Sequence, residues 1–334
     1  MTTNNMKNPM TPTICFAIAV YQNRESLPEL IDEIEAFVAS LSGRWAYKVV
    51  FVDDGSTDGS FATACELASK NSAISVVRLS RNFGQLYAMI AAFDHAEGDV
   101  IVSVSADLQD PISVCSEMIA KYEEGSEVII AHRHSRDDPR LTRWTSKLSY
   151  ALLRLSSPAL PNGGFDYFML SRRALEVIRA QSSRNRFFPT DVLAVGLKQA
   201  FIKYHRRARK YGKSQYSFLG RVHSLSSAAV DTSYLPIRSA SVLGMIITLL
   251  GALYAFVVIF GWFYGKVPYD GWAVLVILLL IIGGAILFTL GIIGEYIWRI
   301  YDEVRGKPLY IVDRIITGET EKQPEPPMRL TGER

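Results

Sequence analysis

The stretch Val49–Phe61, VVFVDDGSTDGSF, decides the fold. Its first four residues are aliphatic or aromatic and uncharged, the composition of a short buried strand. That strand runs into a carboxylate pair, Asp53-Asp54, and then into Gly55, Ser56 and Thr57, which allow a tight turn that brings backbone donors close. A second apolar run, Val100–Val104, ends in the same manner, on Ser105-Ala106-Asp107-Leu108-Gln109-Asp110. Two acidic strand ends on one α/β domain are what a metal-assisted nucleotide-sugar site requires.

The surrounding sequence repeats the alternation. Ile14–Val20, Ile74–Leu79 and Glu127–Ala131 read as further strands, and helices are expected over Leu27–Leu41, Ala62–Ala68, Gln85–His95 and Pro111–Tyr122. A βα alternation of this kind predicts a mostly parallel, helix-covered sheet with its functional groups at the carboxyl ends of the strands.

The 334 residues hold one large α/β domain and something smaller. A formal charge of +3 is too small for a nucleic-acid binder, and the basic residues gather instead near 133–154, 203–213 and 299–314. Cys15, Cys65 and Cys115 are odd in number and lack C-x-x-C spacing, so neither a disulfide framework nor a zinc site is indicated. The opening residues lack a signal-peptide pattern.

Two stretches, Ser239–Gly265 and Gly271–Gly294, carry no charge and exceed the roughly 20 residues that cross hydrocarbon. Arg238 precedes the first, while Arg299, Arg305, Lys307 and Arg314 follow the second, so the positive-inside bias puts both flanks in the cytoplasm. Glycines within these runs permit close helix contacts, through which the chain could form a homo-oligomer. Leu141, Trp144, Leu148, Ala151, Leu152 and Leu155 recur at helical spacing beside Arg143, Lys147 and Arg154, the pattern of a helix lying in the headgroup layer or packed on the sheet. Ser217–Ala229 is a second, more serine-rich candidate. The expected organisation is a loose 1–12, a cytoplasmic catalytic domain over 13–232, a membrane hairpin over 233–298, a cytoplasmic segment over 299–318 and a disordered tail over 319–334.

Asp53 is placed to accept hydrogen bonds from a nucleobase or ribose. The string D-D-G-S-T-D is also an ordinary loop and helix cap, with Ser56, Thr57 and Asp58 satisfying free amides, and the residues alone leave both readings open. Asp107 is the leading metal ligand because Mg²⁺ or Mn²⁺ takes carboxylate oxygen, and Gln109 can add an amide oxygen. Asp110-Pro111 reads as a helix start, with Asp110 as cap. Asp166 follows the loop Pro161-Asn162-Gly163-Gly164 and either orients or deprotonates an acceptor or joins a surface ion pair. Arg206, Arg209 and Lys213 either clamp phosphate or attract anionic headgroups.

Taken together, Val52–Asp58, Leu79-Ser80-Arg81-Asn82-Phe83-Gly84, Ala106–Pro111, Leu170-Ser171-Arg172-Arg173, Gly294-Glu295-Tyr296 and Pro308-Leu309-Tyr310-Ile311 resemble the membrane-associated family-2 glycosyltransferases that move sugar from a nucleotide to a polyprenyl phosphate. The resemblance covers about residues 14–315. It implies a GT-A nucleotide-sugar-binding domain with amphipathic interface helices and two C-terminal transmembrane helices, in the bacterial inner membrane with the catalytic domain and both termini cytoplasmic. It also implies that Asp53 contacts the nucleoside, within a candidate nucleotide-sugar-binding set of Asp53, Asp54, Ser56 and Asp107, that Asp107 and Gln109 hold the metal, and that Asp166 is the base. The positions matching Arg133, Lys147, Arg206 and Arg209 are similar to those that grip donor or acceptor phosphates, and Lys213 joins them as a candidate phosphate-binding residue from its own charge. The partners implied are a nucleotide sugar, with glucose on UDP as first choice, and a membrane-held polyprenyl phosphate. Two departures stand out: Ser105 where such enzymes often have aspartate, and Ala19-Val20-Tyr21-Gln22-Asn23 where the first strand usually ends in proline, valine, tyrosine, asparagine, glutamate.

Overall fold

In the computed structural model, residues 11–133, 165–180, 188–208, 210–211, 272–318 and 320–322 are described, together with isolated positions between 242 and 264. The chain divides into two compact units, Met1–Arg221 with Pro308–Arg334, and Val222–Lys307.

The first unit is built on a nine-stranded sheet of order β7-β5-β6-β4-β1-β2-β3-β8-β9. Its strands are β1 (Thr13–Val20), β2 (Ala46–Asp53), β3 (Ile74–Leu79), β4 (Val100–Ser103), β5 (Val128–Arg133), β6 (Tyr167–Ser171), β7 (Gln199–Tyr204), β8 (Val312–Thr317) and β9 (Thr320–Lys322). The expected parallel ladder forms the centre: β1 pairs in parallel with β2 and β4, and β2 with β3. The sheet as a whole is mixed, because β6 runs antiparallel between β4 and β5. At the other edge β8 lies antiparallel on β3, and β9 on β8.

The residues explain the layers. β1 and the last five residues of β2 are almost wholly buried, as strands covered on both faces must be. Helix α1 (Leu27–Ser40) buries Leu27, Leu30, Ile31, Ile34 and Phe37 at three- and four-residue spacing and carries proline in its first turn, where the missing amide costs nothing. Helices α2 (Ser60–Lys70) and α3 (Gln85–His95) return the chain between parallel strands, and a 3₁₀ turn over Ile112–Val114 leads into α4 (Cys115–Glu123). Two shorter helices follow, α5 (Arg172–Arg179) and α6 (Phe188–Ala194). Arg179 of α5 donates to the carbonyls of Phe93, Asp94 and Ala96, satisfying the carboxyl end of α3.

The second unit contains α7 (Trp272–Val304), in which Ile282–Val304 is long and apolar enough to cross a membrane and none of the residues with described side chains is buried. Among the described residues it is the one helix that meets that test. Of the first uncharged run, Val242, Ile246, Leu250, Leu253, Phe256, Phe260 and Phe263 are described, each helical and exposed. The remainder of that run, the expected helices over 141–155 and 217–229, and the tail from 323 lie outside the described residues. Thr320–Lys322 forms a strand within the stretch expected to be disordered, and Pro308 onward belongs to the first unit.

Candidate active site

Parallel register brings the two acidic strand ends to one edge. Val20 is level with Asp53, and Ala17 with Ser103, from which the chain runs on to Asp107. The Asp53 carboxylate is 1% exposed. Its Oδ2 accepts from the Ser56 amide at 3.3 Å and lies 3.9 Å from Arg78 Nε, whereas its Oδ1 is buried without a hydrogen-bond partner. Burial pushes this carboxyl above the ordinary carboxylate range, against the pull of Ser56 and Arg78. Arg78 stands opposite Asp53 in the β2–β3 ladder, and its guanidinium lies 4.5 Å from the centre of the Phe61 ring. Its place beside Asp53 was not read from the sequence, although a lone charge near the end of the apolar run ISVVRL was the available signal.

Asp54 points both oxygens at another loop, accepting from the amides of Phe83 at 2.7 Å and Gly84 at 2.9 Å. It thereby ties the end of β2 to the turn after β3. Gly55, at φ +70°, lies against that turn, and a Cβ there would stand 2.7 Å from the Asn82 nitrogen. Ser56 and Thr57 engage Gln22 in turn: the Gln22 amide donates to Ser56 Oγ at 3.1 Å, and its side-chain nitrogen to Thr57 Oγ1 at 2.8 Å. Gln22 itself sits at φ +57°, a conformation uncommon for a non-glycine residue. Asp58 accepts from the amides of Ser60 and Arg24, so this side chain and Ser56 satisfy loop amides, but the cap position of α2 falls on Gly59 without a side-chain cap bond.

The second acidic turn is shaped by Leu108, at φ +61°, between Asp107 and Gln109. Asp107 is 8% exposed, and its Oδ1 accepts from the Gln109 amide at 3.2 Å. Asp110 does not cap a helix. Its carboxylate turns back to accept from the Ser105 hydroxyl and amide, takes a 2.7 Å bond from the Tyr204 hydroxyl and lies 3.7 Å from Arg206 Nε. The 3₁₀ turn starts only after Pro111, which is why the cap position falls beyond the acid. Ser105 therefore supplies two donors to the Asp110 carboxylate.

Asp166 immediately precedes β6, exposed, with its carbonyl held by the Ser103 hydroxyl at 3.0 Å. The antiparallel pairing of Phe168 with Ser103 brings it to the same edge as Asp107. Arg133 closes β5 in register with Tyr204, at that edge too. Arg206 follows β7, and its Nε is buried without a hydrogen-bond partner. Lys147, Arg209 and Lys213 lie outside the described residues.

Among the described residues no three His, Cys, Asp or Glu side chains converge as a metal cluster. The oxygen donors available are the Asp107 carboxylate and the Gln109 amide, whose nitrogen donates to the Arg207 carbonyl at 3.4 Å. One carboxylate and one amide suit a hard divalent cation that takes its other ligands from a diphosphate and water. They do not make a cage that would hold the ion alone.

Residues 15–194 match the family model for Glycosyl transferase family 2. The chain is 34% identical over 319 residues to the undecaprenyl-phosphate 4-deoxy-4-formamido-L-arabinose transferase of Shewanella sediminis, covering 92% of this chain and 94% of that protein. It is 30% identical over 304 residues to the SfII prophage-derived bactoprenol glucosyl transferase of Shigella flexneri, covering 90% and 97%. Among solved structures it is similar to glucosyl-3-phosphoglycerate synthase from Mycobacterium tuberculosis in complex with Mn²⁺, uridine diphosphate and phosphoglyceric acid, at 17% identity and a TM-score of 0.47 over 66% of this chain and 77% of that one.

Proposed function

The chain belongs to glycosyl transferase family 2, and we propose that it transfers glucose from UDP-glucose to the phosphate of a membrane-held polyprenyl phosphate. The observation that carries the donor half is the Asp53 carboxylate, one oxygen engaged and the other buried without a hydrogen-bond partner, on the same sheet edge as Asp107. A single unpartnered acceptor beside the Arg78 guanidinium matches an imide N–H flanked by carbonyl oxygens, the edge that uracil presents. Guanine offers two adjacent donors and would call on both carboxylate oxygens. The acceptor half rests on the apolar helix α7 in the same chain and on the relatives named for undecaprenyl-phosphate and bactoprenol transfer. The Shewanella relative also favours a second reading of the sugar, a UDP-linked modified arabinose.

The reaction is a single displacement. The lipid phosphate, largely dianionic at neutral pH because its second pKa is near 6, attacks the anomeric carbon opposite the leaving diphosphate and inverts its configuration. Such a nucleophile needs little proton removal, so Asp166 orients the acceptor rather than deprotonating it, while Arg133, Lys147, Arg206, Arg209 and Lys213 hold phosphate oxygens. Asp107 and Gln109 would hold Mg²⁺ or Mn²⁺, which when bound neutralises charge developing on the diphosphate. Asp53 and Arg78 fix the base, with Asp54, Gly55 and Ser56 setting the turn that presents it. Both flanks of a two-helix membrane hairpin, and hence the catalytic domain, lie in the cytoplasm.

The test is incubation of the purified protein in mixed micelles with a panel of radiolabelled nucleotide sugars and polyprenyl phosphate, followed by solvent extraction of the lipid. Label should enter the lipid from UDP-glucose, and Asp107→Ala should lower kcat by about 10²-fold or more. No labelled lipid from any donor would sink the proposal, as would a water-soluble polymeric product.

A further inference from the structure

Residues 205–208 leave the carboxyl edge of the sheet after Tyr204 and pass the Asp107–Asp110 turn, and Lys210 and Tyr211 lie against α1. Two sets of contacts pin this strap. Toward the turn, the Arg207 amide donates to the Gln109 carbonyl at 3.0 Å, and the Gln109 side chain returns a 3.4 Å bond to the Arg207 carbonyl. Toward α1, the Arg207 guanidinium pairs with Glu33, Lys210 Nζ lies 2.8 Å from both oxygens of Glu29, and the Tyr211 hydroxyl donates to Glu29 at 3.1 Å. Glu29 and Glu33 stand four residues apart, one above the other on a single helix face.

The described basic residues of the strap are thus sorted. Arg207 and Lys210 find their counter-charges on α1, while Arg206 stays beside the acidic turn with Nε lacking a hydrogen-bond partner. We propose that Glu29 and Glu33 are positioning residues for the sugar transfer. By latching the strap to α1 they keep the Arg207 backbone on Gln109 and leave Arg206 to receive a diphosphate oxygen. This inference rests on the function proposed above, and neither acid touches substrate. Exposed ion pairs are weak singly, so the latch sets a fraction of molecules with the strap in place rather than locking it. Donor binding itself favours the latched form. Loosening the latch therefore raises the apparent donor dissociation constant by the inverse of that fraction and leaves turnover at saturation nearly unaltered.

The experiment compares the intact wild-type protein with Glu29→Gln/Glu33→Gln and with the charge exchange Glu33→Arg/Arg207→Glu, all in mixed micelles. The neutralised pair should raise the KM for the nucleotide sugar roughly 3- to 10-fold with kcat within about twofold. Trypsin should cut it faster after Arg207 and Lys210, and donor with Mn²⁺ should restore protection. The exchange, which rebuilds the pair, should return KM toward wild type, and it decides the matter if the neutralised protein does not fold. An unchanged KM in the neutralised pair, a loss confined to kcat, or an exchange that folds without recovering KM would each overturn the latch. A wild-type protein that transfers no sugar to lipid would instead overturn the proposed function.

Discussion

Asp53 and Gly55 show how much one turn of backbone sets at the level of single residues. A carboxyl that burial holds above the ordinary range binds its proton more readily in the folded chain than in the unfolded one. Keeping it ionised therefore costs the folded state at neutral pH, and that cost is relieved as pH falls through the raised value. Donor binding has the opposite sign, because the ionised form accepts a base N–H more strongly than the protonated carboxyl, whose O–H adds a competing donor. UDP affinity should be full above the raised value and fall as pH drops through it, at higher pH than the ~4 of a free aspartate. Titration calorimetry between pH 4.5 and 8 measures this. Asp53→Asn should flatten the profile and weaken UDP by about 10-fold or more. Gly55→Ala adds a Cβ 2.7 Å from the Asn82 nitrogen at a φ of +70°, both unfavourable. It should cost about 2 kcal/mol or more, seen as a lowered Tm in detergent. A variant that melts with the wild type would show that the turn relaxes freely.

The elements differ in how plainly their residues announce them. Helix α3 and strand β3 fall where the periodicity puts them, Gln85–His95 and Ile74–Leu79, because each is a clean apolar pattern between polar breaks. β6 does not: Tyr167–Ser171 is five residues long and entirely buried, too short to be told from a loop by alternation, and its antiparallel insertion is dictated by pairing with β4 and β5. β8 was hidden for a different reason. Its sequence VDRIIT follows the apolar helix and gives no sign that it returns to β3, some 230 residues earlier in the chain. The site divides along the same line. Asp53 and Asp107 were readable as strand-end acids, but the Ser105–Asp110–Tyr204 network and the place of Arg78 depend on contacts between distant segments. β8 carries a prediction of its own, because Tyr310 also bonds Asp94 at 2.8 Å and the Ile311 carbonyl accepts from Ser80. A chain ending at Lys307 should leave the edge of β3 unpaired and lower the Tm by roughly 5 °C or more, whereas one ending at Lys322 should melt with the full chain. Equal melting of the two would mean that the sheet closes at β3 without its C-terminal partner.

The chain as a whole combines the sheet domain with α7, whose candidate span Ile282–Val304 is long and apolar enough to cross a membrane. An enzyme held in a bilayer meets a lipid acceptor in the plane of the membrane, at an effective concentration far above its bulk value. The same tether does nothing for an acceptor dissolved in water. If the lipid is recognised through its chain as well as its phosphate, binding energy from the tail positions the phosphate for attack, and truncating the tail lowers turnover as well as affinity. With UDP-glucose saturating, kcat/KM for a long polyprenyl phosphate in mixed micelles should exceed that for a short, water-soluble prenyl phosphate by about 10²-fold or more, with part of the difference in kcat. Steady-state rates for a series of chain lengths in one detergent provide the measurement. Equal kcat/KM across the series would mean that the helix anchors the protein without taking part in acceptor choice, and the acceptor would then have to be sought among soluble phosphates.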